Sequence, residues 1–191
     1  MKLILNKKYN PLFSSDARYF IITGGRGSGK SFAVTVFLTL LTMTKGIRIL
    51  FTRFTMTSAH LSIIPEFLEK IGLLGFDEVF SINKKEVVNT KNNSDILFRG
   101  IRTSAGNQTA SLKSLQGIST WVLDEAEELV DENIFDTIDL SIREKGIHNR
   151  VILILNPVTK EHWIYKRFFE DKGVEGGFNG CLLYTSPSPR D

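Results

Sequence analysis

Cysteine is almost missing from this chain: Cys181 is the single one in 191 residues, which excludes a disulfide framework and any cysteine-based metal site. Histidine is nearly as sparse. His60, His148 and His162 stand apart without metal-ligand spacing, so surface or packing roles are the expectation for each. Long apolar runs are absent too. The most apolar stretch, residues 32–43, falls short of the roughly 20 residues that a bilayer-spanning helix needs. Near the start, Asn6, Lys7, Lys8 and Asn10 break up the apolar core that a secretion signal requires. Membrane and exported classes are thereby disfavoured, and a cytoplasmic protein is expected.

The apolar share of 42% and charged share of 24% are ordinary for a globular protein, and the length suits one domain with a tail. A domain of this size buries a sizeable core without staples. Net charge is only +3, but it is unevenly spread. Between Asp124 and Asp139 there are eight acids and no base, which leaves 24 bases against 13 acids elsewhere. Basic surface of that size is compatible with a polyphosphate partner such as DNA. On charge alone, a solvated and mildly basic surface is the plainer reading.

No internal repeat is visible. Short apolar runs alternate with longer helical stretches, which predicts an α/β domain with a mainly parallel sheet. The clearest strands are YFIIT (residues 19–23), IRILFT (47–52), TWVLD (120–124) and VILIL (151–155). Such near-continuous runs fit strands buried on both faces. EVFSI and EVVNT flank Asn83, Lys84 and Lys85 and predict an added antiparallel hairpin, which DILFRG could continue. Helices are predicted over residues 30–44, 58–71, 130–142 and 160–169. From Gly173 onward the pattern is lost, and residues 173–191 receive no structural role beside a domain of residues 1–172.

The segment GGRGSGKS fits the phosphate-binding loop G-x-x-x-x-G-K-[ST], with Gly24, Gly29, Lys30 and Ser31 at the defining positions. A strand ends at Thr23 and an apolar helix opens at Lys30, the context that this loop requires. The loop residues Gly24, Gly25, Arg26, Gly27, Ser28 and Gly29 would turn backbone N–H groups toward phosphates, with the next helix adding its N-terminal dipole. Lys30 would reach the β- and γ-phosphates of ATP, and the Ser31 hydroxyl would ligate Mg2+. A glycine-rich turn containing Lys-Ser by chance would not bring both flanking elements. A dinucleotide loop fails by register, because Gly25 and Gly27 would need a third glycine where Lys30 stands.

Phosphoryl transfer on such a loop needs a carboxylate for the metal, and hydrolysis uses a second to orient water. WVLDE supplies both: Asp124 for magnesium and Glu125 for water. Side chains alternate along a strand, so a strand end or turn must let both reach one site. Glu127, Glu128, Asp131 and Glu132 are read as the solvated face of the following helix. Arg26, inside the loop, is a candidate contact for the γ-phosphate or else a solvent-pointing residue. Asn156, directly after VILIL and before Pro157, is a candidate γ-phosphate sensor, although local grounds favour a simple Asx-Pro turn.

Taken in order, these motifs resemble the large terminase subunit of tailed bacteriophages. The resemblance runs through most of residues 9–170. It is carried by YNPLF, GGRGSGKS, FTRFTMTSAHLSIIPEFLEKIGL, FRGIRTSAGNQTASLKSLQGISTWVLDEAEEL and NPVTKEHWIYKRFF. It implies an ATPase that docks on a capsid portal and drives double-stranded DNA into a preformed head. Ring assembly with like subunits and a small-subunit partner are implied as well. The implied fold is the additional-strand type of P-loop domain, with the Asn156 strand between the loop strand and the Asp124 strand. On this resemblance Asn156 becomes the coupling residue, Arg26 the in-loop arginine, and residues 9–11 neighbours of the adenine base.

The family's C-terminal ribonuclease-H-like nuclease has no counterpart here, and CLLYTSPSPRD resembles none of its segments, so DNA cleavage is not expected. Other classes fit less well. A helicase, echoed by the Asp124–Glu127 string, needs a second motor domain. A GTPase needs a DxxG glycine that DEAE lacks, and an ABC-type ATPase needs a signature that SLQGIS does not supply. A fragment that binds nucleotide without turning it over is the non-enzymatic alternative.

Overall fold

A computed structural model describes residues 4–56, 63–103, 106–107, 112, 114–174 and 180–184. The strands are β1 (Tyr19–Thr23), β2 (Arg48–Thr55), β3 (Phe80–Ile82), β4 (Glu86–Asn89), β5 (Asp95–Thr103), the short β6 (Gly106–Asn107), β7 (Thr120–Asp124), β8 (Arg150–Leu155) and β9 (Gly180–Tyr184). They form one sheet in the order β3-β4-β5-β2-β7-β8-β1-β9, with β6 paired to β5. The central run β5-β2-β7-β8-β1 is parallel throughout. β8 lies between β1 and β7, the strand order that the additional-strand type implies.

The helices are α1 (Pro11–Ser14), α2 (Lys30–Leu41), α3 (Ile63–Leu73), α4 (Glu132–Asp139) and α5 (Trp163–Phe168). Strand alternation sorts the core into two layers. Phe20, Ile22, Ile49, Phe51, Val122, Ile152 and Ile154 meet α1, α2 and α3 on one face. Ile21, Leu50, Trp121, Leu123, Val151 and Leu153 meet α4 and α5 on the other. The middles of the central strands are therefore buried on both faces, which is why they read as near-continuous apolar runs. Among the described residues no helix is long and apolar enough to cross a membrane.

The expected hairpin is present as β3 and β4, and β5 does continue it antiparallel. The same β5 also pairs parallel with β2, so it joins the hairpin to the core sheet. Helix ends differ from expectation where side chains intervene. α4 starts at Glu132, because Asp131 serves as its cap and accepts a hydrogen bond from the Asn133 N–H. α5 starts at Trp163, where the His162 ring nitrogen accepts from the Ile164 N–H. The predicted helix start at residue 58 lies outside the described residues, as do His60 and residues 185–191.

One correction concerns the tail. Residues 180–184, read as having no structural role, form β9 and pair antiparallel with all of β1, from Tyr19 opposite Tyr184 to Thr23 opposite Gly180. Without β9, that edge of β1 would present unpaired backbone groups, and an edge strand takes a partner readily whatever its side-chain pattern. A five-residue strand after a glycine-rich loop carries too little periodicity to be recognised in the sequence.

Phe135 of α4 is fully buried between Trp121 and Trp163, with ring centroids 5.2 and 4.8 Å away. Phe135→Ala is expected to cost about 3–5 kcal/mol by opening a cavity between sheet and helices. Urea unfolding should show a lower midpoint with an unchanged slope. A midpoint equal to the wild type would remove this aromatic cluster as the anchor of that face.

Candidate active site

The glycine-rich loop leaves β1 at the C-terminal edge of the parallel strands and enters α2. Gly27 and Gly29 have φ of 71° and 83°, a left-handed backbone that favours glycine, and Gly29 is the N-cap of α2. Tyr9 supports this turn from beneath. Its hydroxyl donates to the Ser28 carbonyl at 2.8 Å, and its ring lies 4.0 Å from where a Cβ on Gly29 would sit. The segment that the resemblance sets near an adenine base therefore lies directly against the loop.

Lys30 is 9% exposed. Its ammonium donates to the Gly24 carbonyl, to the Gly25 carbonyl at 3.0 Å and to Asn156 Oδ1 at 3.3 Å. Burial pushes its pKa below the ordinary lysine value, against the opposing charges of Glu127 and Asp124. Ser31 is half-buried beside it, and Arg26 stands exposed on the rim.

Asp124 ends β7 at 4% exposure, and Glu125 follows with φ 55° and ψ 45°. This left-handed residue solves the alternation problem. It turns the chain out of the strand at the carboxylate pair, so both side chains line one cavity. Burial and the neighbouring Asp124 charge raise the Glu125 pKa, while Arg53 lowers it.

Arg53, near the end of β2, is a site residue that sequence reasoning missed. Its Nε and Nη2 both donate to Asp124 Oδ2, at 2.8 and 2.6 Å, and Nε lies 3.7 Å from Glu125 Oε2. The available signal was positional: β2 is the parallel neighbour of β7, so a charged residue at its C-terminal end had to fall beside Asp124. Glu127 is the second omission and a correction. Rather than lying on a solvated helix face, it is half-buried in a 3-10 turn (Ala126–Glu128), and its Oε1 accepts from Asn156 Nδ2 at 2.6 Å. The left-handed turn at Glu125 redirects the chain, so helical spacing does not apply there. Glu128 is exposed as read, Asp131 caps α4, and Glu132 pairs with Arg167 at 3.0 Å.

These residues enclose one cavity of about 400 Å³, lined by loop residues 26–31 with Phe32, Arg53, Asp124, Glu125, Glu127, Ile154, Leu155 and Asn156. Its contents match a polyphosphate: loop N–H groups, a helix N-terminus and the Lys30 ammonium on one wall. Ser31 and Asp124 offer hard oxygen donors. Among the described residues no group of three or more His, Cys, Asp or Glu is arranged to hold a metal ion. A magnesium site would need only one or two protein oxygens, with its shell completed by phosphate and water.

Fold and site together define an additional-strand α/β domain built around a phosphate-binding loop. The family model for the phage terminase large subunit matches residues 16–183, and the chain belongs to that family. No curated protein matches it significantly. Among solved structures, the large terminase from a thermophilic bacteriophage superposes with a TM-score of 0.70 at 14% identity, over 89% of this chain and 43% of that one. The same thermophilic-phage protein in complex with ADP gives 0.65 at 14% identity, over 87% and 42%. The N-terminal domain of the DNA packaging ATPase from bacteriophage phi29 gives 0.66 at 15% identity, over 99% of each chain. The chain thus spans less than half of the thermophilic-phage terminase and nearly all of the phi29 domain.

Arg53→Ala would leave a nearly buried carboxylate without its counter-ion. Breaking a wholly buried pair costs about 3–5 kcal/mol. Arg53 keeps 23% of its side chain exposed, so a loss near the lower end is expected. Thermal unfolding should show the single variant less stable than Arg53→Ala/Asp124→Ala, which no longer buries a lone charge. The reverse order would mean that Arg53 does not neutralise Asp124.

Proposed function

We propose that this chain is the ATP-hydrolysing motor domain of a phage terminase, acting on double-stranded DNA. One observation carries the reading: Lys30, Asp124 and Glu125 converge on a single cavity at the C-terminal ends of the parallel strands. That is where open α/β sheets bind ligands. The ADP complex of the thermophilic-phage relative supports the choice of an adenine nucleotide.

In this reading the loop from Gly24 to Gly29 cradles the phosphates through backbone N–H groups, and Lys30 sets its charge on the β- and γ-oxygens. Bound Mg2+ would supply charge neutralisation at those oxygens, held by the Ser31 hydroxyl and Asp124. Glu125 accepts a hydrogen bond from the attacking water and orients it in line. Its raised pKa brings it closer to the working range of a general base. Arg26 lies on the rim, where a guanidinium can meet charge developing on the γ-phosphate. Asn156 stands beside Lys30 as the residue that registers the terminal phosphate. By family resemblance the partners are a portal, a small terminase subunit and like subunits in a ring, in the cytoplasm of the host.

Lys30→Ala should abolish hydrolysis and weaken nucleotide binding, as read by phosphate release and a fluorescent-nucleotide titration. Glu125→Gln should keep binding and lose about 10²–10⁴-fold in turnover. Asp124→Asn should instead raise the magnesium requirement. Equal loss of magnesium dependence in both acid variants would overturn the division of roles. Wild-type binding without turnover, with and without DNA and portal, would select a passive nucleotide binder.

DNA binding by the purified chain should be independent of sequence and fall steeply with salt, because phosphate neutralisation supplies it. A filter-binding series over ionic strength measures this. Sequence-selective binding insensitive to salt would exclude the packaging reading.

A further inference from the structure

Glu127 has the chemistry of a site residue and no part in the hydrolysis scheme above. Its Oε1 takes the Asn156 Nδ2 hydrogen bond at 2.6 Å, and its Oε2 is buried with no hydrogen-bond partner among the described residues. The turn that carries it is firmly tied. The Glu127 carbonyl lies 3.2 Å from His162 Nε2, and the next carbonyl but one, Leu129, accepts from the Trp163 indole. A carboxylate fixed this way is a rigid reference point rather than a mobile surface acid.

Asn156 is consequently held at both ends of its amide. Its carbonyl oxygen faces the Lys30 ammonium at 3.3 Å, and its NH2 faces the Glu127 carboxylate. A flipped amide would set NH2 against a cation and carbonyl oxygen against an anion, exchanging two attractive contacts for two repulsive ones. Lys30 alone does not enforce this orientation once its ammonium engages a phosphate. A fixed carboxylate on the far side still does.

We propose that Glu127 is a positioning residue for Asn156: its carboxylate fixes the side-chain amide so that the carbonyl oxygen, and not the NH2, is presented to Lys30. The inference rests on the reading of this cavity as a nucleotide site. It adds a third acid, with a role distinct from metal binding and water activation.

The test uses the 15N-labelled 191-residue chain. Disappearance in Asn156→Ala identifies the Asn156 side-chain amide signals. In Glu127→Ala they should move to the position of a free amide, and in Glu127→Gln, which keeps an acceptor but loses the charge, they should move only part of the way. Turnover should fall about 10–100-fold in Glu127→Ala, a typical cost for removing an orienting partner, with KM little changed and recovery in Glu127→Gln. In an Asn156→Ala background the Glu127→Ala change should cost nothing further. Unmoved Asn156 signals, or an equal cost in both backgrounds, would overturn the proposal. Should Glu127→Ala fail to fold, the Glu127→Gln shift decides, and its absence counts against the proposal. Absence of nucleotide binding in the wild type would instead overturn the nucleotide reading, and the amide spectra would still decide what Glu127 does.

Discussion

The insertion of β8 between β1 and β7 is the constraint on which the site depends. In a parallel sheet the strand ends line up along one edge, so three consecutive strands deliver the loop after Thr23, Asn156 after Leu155, and Asp124 side by side. No long-range contact has to be found afterwards. Asn156 touches Lys30 on one side and Glu127 on the other because its strand is the middle one. The next strand outward, β2, adds Arg53 by the same register. Four neighbouring strand ends thus bring the loop, Asn156, Asp124 and Arg53 to one edge of the sheet.

A second device is the left-handed Glu125. A non-glycine residue at φ 55° carries a conformational cost, and such costs persist where the surrounding structure enforces them. Here both flanks are pinned. Asp124 is held by two hydrogen bonds to Arg53, and Ala126 is fully buried at the start of the 3-10 turn. Between those anchors the chain has one residue in which to leave the strand, and that residue carries the second carboxylate. The same turn brings Glu127 back toward β8.

Much of this was legible in the sequence because its signals are local. The loop is eight consecutive residues, the buried strands are near-continuous apolar runs, and Asp124 and Glu125 sit where such a run ends. Asn156 was legible as a strand-end polar residue, and its place beside the loop lysine needed only the strand order. What escaped shares a different property. Arg53, Glu127 and β9 owe their roles to partners about 71, 29 and 160 residues away, a separation that no periodicity encodes. Glu127 was misread for a specific reason: an acidic run before a helix has the composition of a solvated face, and one left-handed residue changes which of its members turn inward.

The acidic segment also bears on the partner. Most of these acids have a polar or charged partner within the fold. Asp124 binds Arg53, Glu132 and Asp136 share Arg167, and Asp139 binds Arg18 and the Tyr19 hydroxyl. Glu127 faces Asn156 within the cavity. These pairs use three arginines, and the Glu132 and Asp136 side chains remain 43% and 47% exposed, with Glu128 and Asp131 exposed as well. Lys84 and Lys85 at the β3–β4 turn, with Arg102 on β5, remain exposed. Exposed basic side chains of this kind attract a polyanion through counterion release without reading its sequence. Under the proposed packaging role, such sequence-independent attraction is what a domain acting along any stretch of DNA would need.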